Sequence, residues 1–165
     1  MSMARWIPVP LVLILAACGS SPKAAPAPSP SPTGEIAPVF PELTGDVRSP
    51  VRLLAFDAKA RAVVVEPILF QTGPEYCAAL HVSPVDTRCS REIVVDRSNT
   101  RVTLPLAARA DFRDIGDGEC LGTIEGGATC EATAKDMNRL AQDAREVVVT
   151  VRSGTVTRIA ELYQP

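Results

Sequence analysis

The sequence predicts an α+β domain: a mainly antiparallel β-sheet or a small, partly open β-barrel with one or two short helices. Three observations lead there. Short β-branched runs recur at 51–56, 61–70, 92–96, 101–106 and 146–152, separated by turn residues. Clear helical periodicity begins only at Thr133. The 165 residues suffice for about one domain, so short strands must share one sheet and hide its edges.

The chain opens with an address. Residues 1–5 carry one positive charge, Arg5, and 6–17 form an uncharged apolar run. That run is shorter than the roughly 20 residues that span a hydrocarbon core, and it fits an export signal, expected over 1–17. It ends in Leu15-Ala16-Ala17-Cys18, which resembles a bacterial lipobox. The resemblance implies cleavage before Cys18, lipidation of its thiol, and attachment to the cell membrane on the extracytoplasmic face. Each buried methylene contributes about 0.8 kcal/mol, so one chain holds marginally and the two or three chains of this class hold firmly. Residues 18–43 are then the lipidated Cys and a Pro/Ser/Ala-rich linker, with seven of the chain's 15 prolines between Pro22 and Pro41. Such a stretch buries too little apolar surface to fold, and extends at roughly 3.1 Å per residue. It reads as a spacer. A single β-rich domain is expected over 44–165.

Within that domain, 51–56 reads as a strand, 57–60 as a turn with Asp57 at its first position, and 61–70 as the paired strand. Pro67 lacks a donor, which predicts an edge strand or a bulge there. Thr72-Gly73-Pro74-Glu75 opens a helix of about two turns, 74–81. Strands follow at 92–96 and 101–106, with another at 110–115. Thr133 caps the main helix, with Asp136 three residues on, and Ala134, Met137, Leu140, Ala141 and Ala144 share one face. A terminal hairpin runs 146–152, Ser153-Gly154, 155–163. A two-residue turn places Arg158 among the valines and a three-residue loop places Glu161 there, a conflict that a bulge reconciles.

Three segments resemble small secreted proteins and lipoproteins of high-GC actinobacteria. They are Leu54-Ala55-Phe56-Asp57 through Val63-Val64-Val65 into Pro67-Ile68-Leu69-Phe70-Gln71-Thr72-Gly73, then Arg101-Val102-Thr103-Leu104-Pro105-Leu106-Ala107, and the ending from Thr155 to Pro165. The preference for Arg (14) over Lys (3) agrees with a high-GC genome. The resemblance rests on hairpin patterns and implies no catalytic or binding residue.

Cys77, Cys89, Cys120 and Cys130 remain beyond Cys18. An even number in an exported domain points to disulfides, and proximity in sequence favours Cys77–Cys89 and Cys120–Cys130 among the three connectivities. The gaps of 11, 30 and 9 residues lack the closely spaced pairs of a zinc site. No metal site and no cofactor is expected, the nearest cation candidate being the weak calcium set Asp114, Asp117 and Glu119, whose spacing departs from the calcium-loop pattern. His81 is the single histidine, and no G-x-S-x-G elbow is present; it reads as a surface or helix-end residue.

The formal net charge is -2, and the arginines between Arg88 and Arg113 are interleaved with Asp86, Glu92, Asp96 and Asp111. Nucleic acid is therefore not an expected partner. The function that fits is a membrane-anchored, non-enzymatic binding or interaction module for an envelope ligand or protein. Two alternatives stand beside it. One is a small envelope hydrolase using clustered carboxylates such as Asp114 and Asp117, which glycosidic chemistry requires about 5–9.5 Å apart across a cleft. The other is an inhibitor of a cell-wall hydrolase, with 72–91 as the plugging loop.

Overall fold

The computed structural model describes residues 34–164. The export signal, Cys18 and most of the Pro-rich linker lie outside the described residues.

Strands β1 (Val47–Asp57) and β2 (Ala62–Gln71) form the first hairpin. Helix α1 (Gly73–Leu80), a short 3-10 turn (Thr87–Ser90) and strand β3 (Val94–Arg97) follow. Then come β4 (Val102–Asp114), β5 (Cys130–Glu131), helix α2 (Ala134–Gln142) and the hairpin β6 (Glu146–Arg152) and β7 (Thr155–Glu161). The strands make one mixed seven-stranded sheet in the order β3-β2-β1-β6-β7-β4-β5. A further pairing of β2 with β4 joins β1, β2, β4, β7 and β6 into a ring. Every ladder is antiparallel except β4–β7, which is parallel.

Alternation along the strands fills the ring. Val51, Leu53, Val63, Val65, Val147, Val149, Val151, Val156 and Ile159 point inward and are essentially inaccessible. Such side chains contribute roughly 1.5–3 kcal/mol each when fully buried. Helix α2 adds Met137, Leu140 and Ala141 to the same interior. It starts where the sequence places it: the Thr133 hydroxyl accepts the Asp136 N–H, and the Asp136 carboxylate accepts the Thr133 N–H at 2.9 Å. That reciprocal cap satisfies two donors the first turn leaves open.

Several expectations are adjusted. The two strands expected at 101–106 and 110–115 are one 13-residue strand, β4. An irregularity between Leu106 and Asp111 in its pairing with β7 absorbs the intervening residues. Pro67 is neither on an edge strand nor at a bulge. β2 is interior, and the β1–β2 register shift lies between Leu53 and Ala55. Pro67 is tolerated because β2 changes partner there, from β4, whose register ends at Val65↔Val102, to β3, whose register begins at Ile68↔Arg97. The Ser98 N–H reaches the Pro67 carbonyl at 3.1 Å across that junction, so the missing N–H faces a gap between partners. The terminal hairpin carries its bulge between Thr150 and Val151. It sets Arg158 opposite Thr150, outside the valine row, and leaves Glu161 opposite Val147.

Glu161 is only 4% exposed. One of its carboxylate oxygens faces Arg145 Nη2 at 3.3 Å and the other accepts the Ile115 N–H at 3.3 Å. A buried carboxylate requires such partners.

Candidate functional site

Pro50 sits in β1 with its nitrogen turned toward β2. Leu53 N–H bonds Arg145 on the β6 side, and alternation then directs the main-chain groups of Arg48, Pro50 and Arg52 toward β2. Lacking an N–H, Pro50 cannot donate to the Ile68 carbonyl, and the β1–β2 register ends at Val51↔Pro67. Beyond that pair β1 continues along β6 alone and β2 continues along β3 alone. The two strands part, and a groove of about 480 Å³ opens between them.

Its floor is Pro50, Ile68, Phe70 and Val148, of which Ile68, Phe70 and Val148 belong to a second apolar cluster that also includes Leu162. One wall is the chain before β1. There Val39, Phe40 and Pro41 line the groove, Leu43 plugs into the ring interior, and Ile36 N–H bonds Leu80 O at 2.9 Å. The residues at 35–43, read from sequence as linker, thus lie against the domain. The other wall is the loop between β4 and β5. Disulfide Cys120–Cys130 closes its base, and a bridge between Thr123 and Gly127 folds its tip back. Gly127 (φ +67°) lies so close to Ala160 of β7 that a Cβ there would come within 2.7 Å of it. The loop is thereby seated on the sheet, with Ile124 and Glu125 at the groove's rim. Ile124 also borders a neighbouring depression lined by Ile93, Leu121, Leu162 and Tyr163. Val39, Leu121, Ile124 and Tyr163, all exposed, therefore gather around this one face.

Polar groups in the groove are few. Arg48 donates to Thr150 Oγ1 at 3.4 Å and has no carboxylate partner among the described residues, unlike Arg52, Arg88 and Arg145. The buried amide oxygen of Gln71 makes no hydrogen bond among the described residues. Beyond the end of the ladder, the Ile68 carbonyl and the Phe70 N–H and carbonyl face the groove from β2.

The loop at 72–91 is a braced unit. Cys77–Cys89 ties α1 to the 3-10 turn, and Gly73 packs so closely under the carbonyls of Arg88, Cys89 and Arg91 that any Cβ would collide. Arg88 pairs with Asp86 at 2.9 Å and Glu35 at 3.0 Å and lies over the Tyr76 ring. Side-chain hydrogen bonds from Arg88, then its main-chain N–H, hold the Asp86 carboxyl down to about 2. At the apex Val85 is 90% exposed, but Asp86 N–H bonds Ser83 O at 2.9 Å, so the apex is a closed turn.

Both cysteine pairs are those favoured by sequence proximity. His81 is an exposed, left-handed C-cap of α1, and Cys77 beside it is oxidised. Asp114 accepts the Gly116 N–H at 3.1 Å and faces Arg139 at 3.9 Å. Among the described residues no three His, Cys, Asp or Glu side chains converge as metal ligands, so Asp114, Asp117 and Glu119 do not form a set. Among the described residues no helix is long and apolar enough to cross a membrane.

Sequence reasoning missed the groove. Its one local signal is Pro50 inside a run of strand formers; the walls come from residues far apart in the chain. Comparison with family models, with curated proteins and with solved structures finds no match.

Proposed function

We propose that the chain is a membrane-anchored envelope lipoprotein whose extracytoplasmic domain binds a ligand or partner in the groove between β1 and β2. The groove carries this reading. It is concave, floored by aliphatic and aromatic side chains, walled by two anchored segments, and supplied with a few polar groups, which is the usual make-up of a binding site. The lipobox and the spacer support the tether. Resemblance to small secreted proteins and lipoproteins of high-GC actinobacteria supports the same location but adds no ligand.

The test uses the mature protein in detergent, with Ile124→Asp as the groove variant; Ile124 is 40% exposed, so the change spares the core. A thermal-shift panel would contain wall fragments, glycans, palmitate and peptides. A ligand at a hundredfold its dissociation constant adds about 2.7 kcal/mol, several degrees in midpoint. The expected result is a dose-dependent shift that Ile124→Asp removes. A shift from any ligand that survives Ile124→Asp places binding elsewhere and sinks the groove. Mass spectrometry of the same membrane-extracted protein should show diacylglycerol on an N-terminal Cys18, and Cys18→Ser should release the protein into the soluble fraction.

A further inference from the structure

From the open edge of β2 we infer that the groove takes an extended polypeptide segment with a carboxylate, added as a short strand beside Ile68–Phe70. The inference rests on the groove reading above and names its ligand class.

The main-chain groups decide between peptide and hydrocarbon. The Ile68 carbonyl and the Phe70 N–H and carbonyl lie beyond the last β1–β2 pair, and their own register with β3 points them away from it. Leu69 and Gln71 are the residues that bond toward β3, as Pro67 does through its carbonyl. Neither flanking ladder gives the Phe70 N–H and carbonyl a strand partner. Main-chain groups that a ligand covers must be paired by it. A hydrocarbon chain cannot pair them; an extended peptide can, with its N–H and carbonyl groups, as in strand addition to a sheet edge. Alternate side chains of that peptide would then fall against Phe70 and Val148 on one side. The Gln71 amide oxygen, buried and without a hydrogen bond among the described residues, adds an acceptor beside the same edge.

Charge settles the polarity. Arg48, on the opposite lip, is the cation lining the groove, and it has no carboxylate partner among the described residues. Glu125 at the loop tip also lines the groove and repels an anion. A carboxylate on the ligand is therefore favoured at the β1 lip and disfavoured at the loop lip. The groups available along β2 number only a few, so the added strand is short and affinity depends on the side-chain contacts as well.

The experiment screens a library of N-acetylated hexapeptides with free C-terminal carboxylates against the mature protein, with palmitate in parallel. Hydrogen exchange is read at the Phe70 amide. In the free protein that amide should exchange much faster than those of Leu69 and Gln71. The best hexapeptide should protect it. Methylating the peptide nitrogen that faces β2 should weaken binding about tenfold, the loss of one well-placed hydrogen bond and its partner's desolvation. Amidating the carboxylate should weaken binding several-fold, and Arg48→Gln should abolish that difference. A silent library overturns the inference; if palmitate then binds and Ile124→Asp removes it, the groove reading survives alone. Peptide binding that leaves Phe70 exchange unchanged, or is indifferent to nitrogen methylation, also overturns it. Concentration-dependent dimerisation that protects Phe70 would make a second copy the occupant and overturn the choice of partner.

Discussion

At position 50 a proline nitrogen stands where the β1–β2 ladder needs a donor, and one absent hydrogen bond opens the face on which the groove lies. Pro50→Thr restores the donor without adding bulk that the strand disfavours. The expected outcome is an extended ladder and slower exchange at the Phe70 amide; unchanged exchange would show that the strands part for another reason. Asp86 acts through charge. Its folded form is the stronger acid, at about 2 against an ordinary 3.8, because Arg88 donates to it. A depressed carboxyl stabilises the fold fully above its unfolded value and ceases to as pH falls through the folded value. Stability of the 72–91 unit should therefore decline between about pH 4 and pH 2, and Asp86→Asn should flatten that part of an acid titration followed by amide exchange. Asp86 was legible only as one of the acids interleaved with the arginines. Its partnership with Arg88 was not, since Glu35 and Tyr76 complete that arrangement from distant positions.

Helix α2 shows how far an element can be read before folding. Its cap and its apolar face follow from periodicity and from hydroxyl and carboxylate chemistry local to four residues. What it covers does not, and that sets its energetic weight. Met137 is fully buried inside the ring. Met137→Ala should lower stability by about 2–5 kcal/mol in urea unfolding. Thr133→Ala, which removes only the cap, should lower it by about 1 kcal/mol. Equal losses would mean that α2 does not fill the interior. Strand β4 teaches the converse: its two apolar runs, separated by Ala107, Ala108 and Arg109, read locally as two strands, and only the pairing with β7 makes them one.

Across the whole molecule, each disulfide closes a loop of roughly a dozen residues and contributes about 3 kcal/mol by constraining the unfolded chain. Replacing Cys120 and Cys130 by Ser should lower the unfolding midpoint and also loosen the groove's loop wall, seen as faster exchange at Gly126. Replacing Cys77 and Cys89 should lower the midpoint while leaving that wall in place. The α+β class, both helices, the two hairpins and both favoured cysteine pairings were present in the sequence, because each depends on interactions spanning few residues. The closure of β2 onto β4, the parallel β4–β7 pair and the parting of β1 from β2 were not. They depend on which strands meet after the chain folds back on itself, and local propensity carries no information about a neighbour 40 or 100 residues away. The groove belongs to that second kind: its floor, its two walls and its lining arginine come from five separate stretches of chain brought together only by the closed ring.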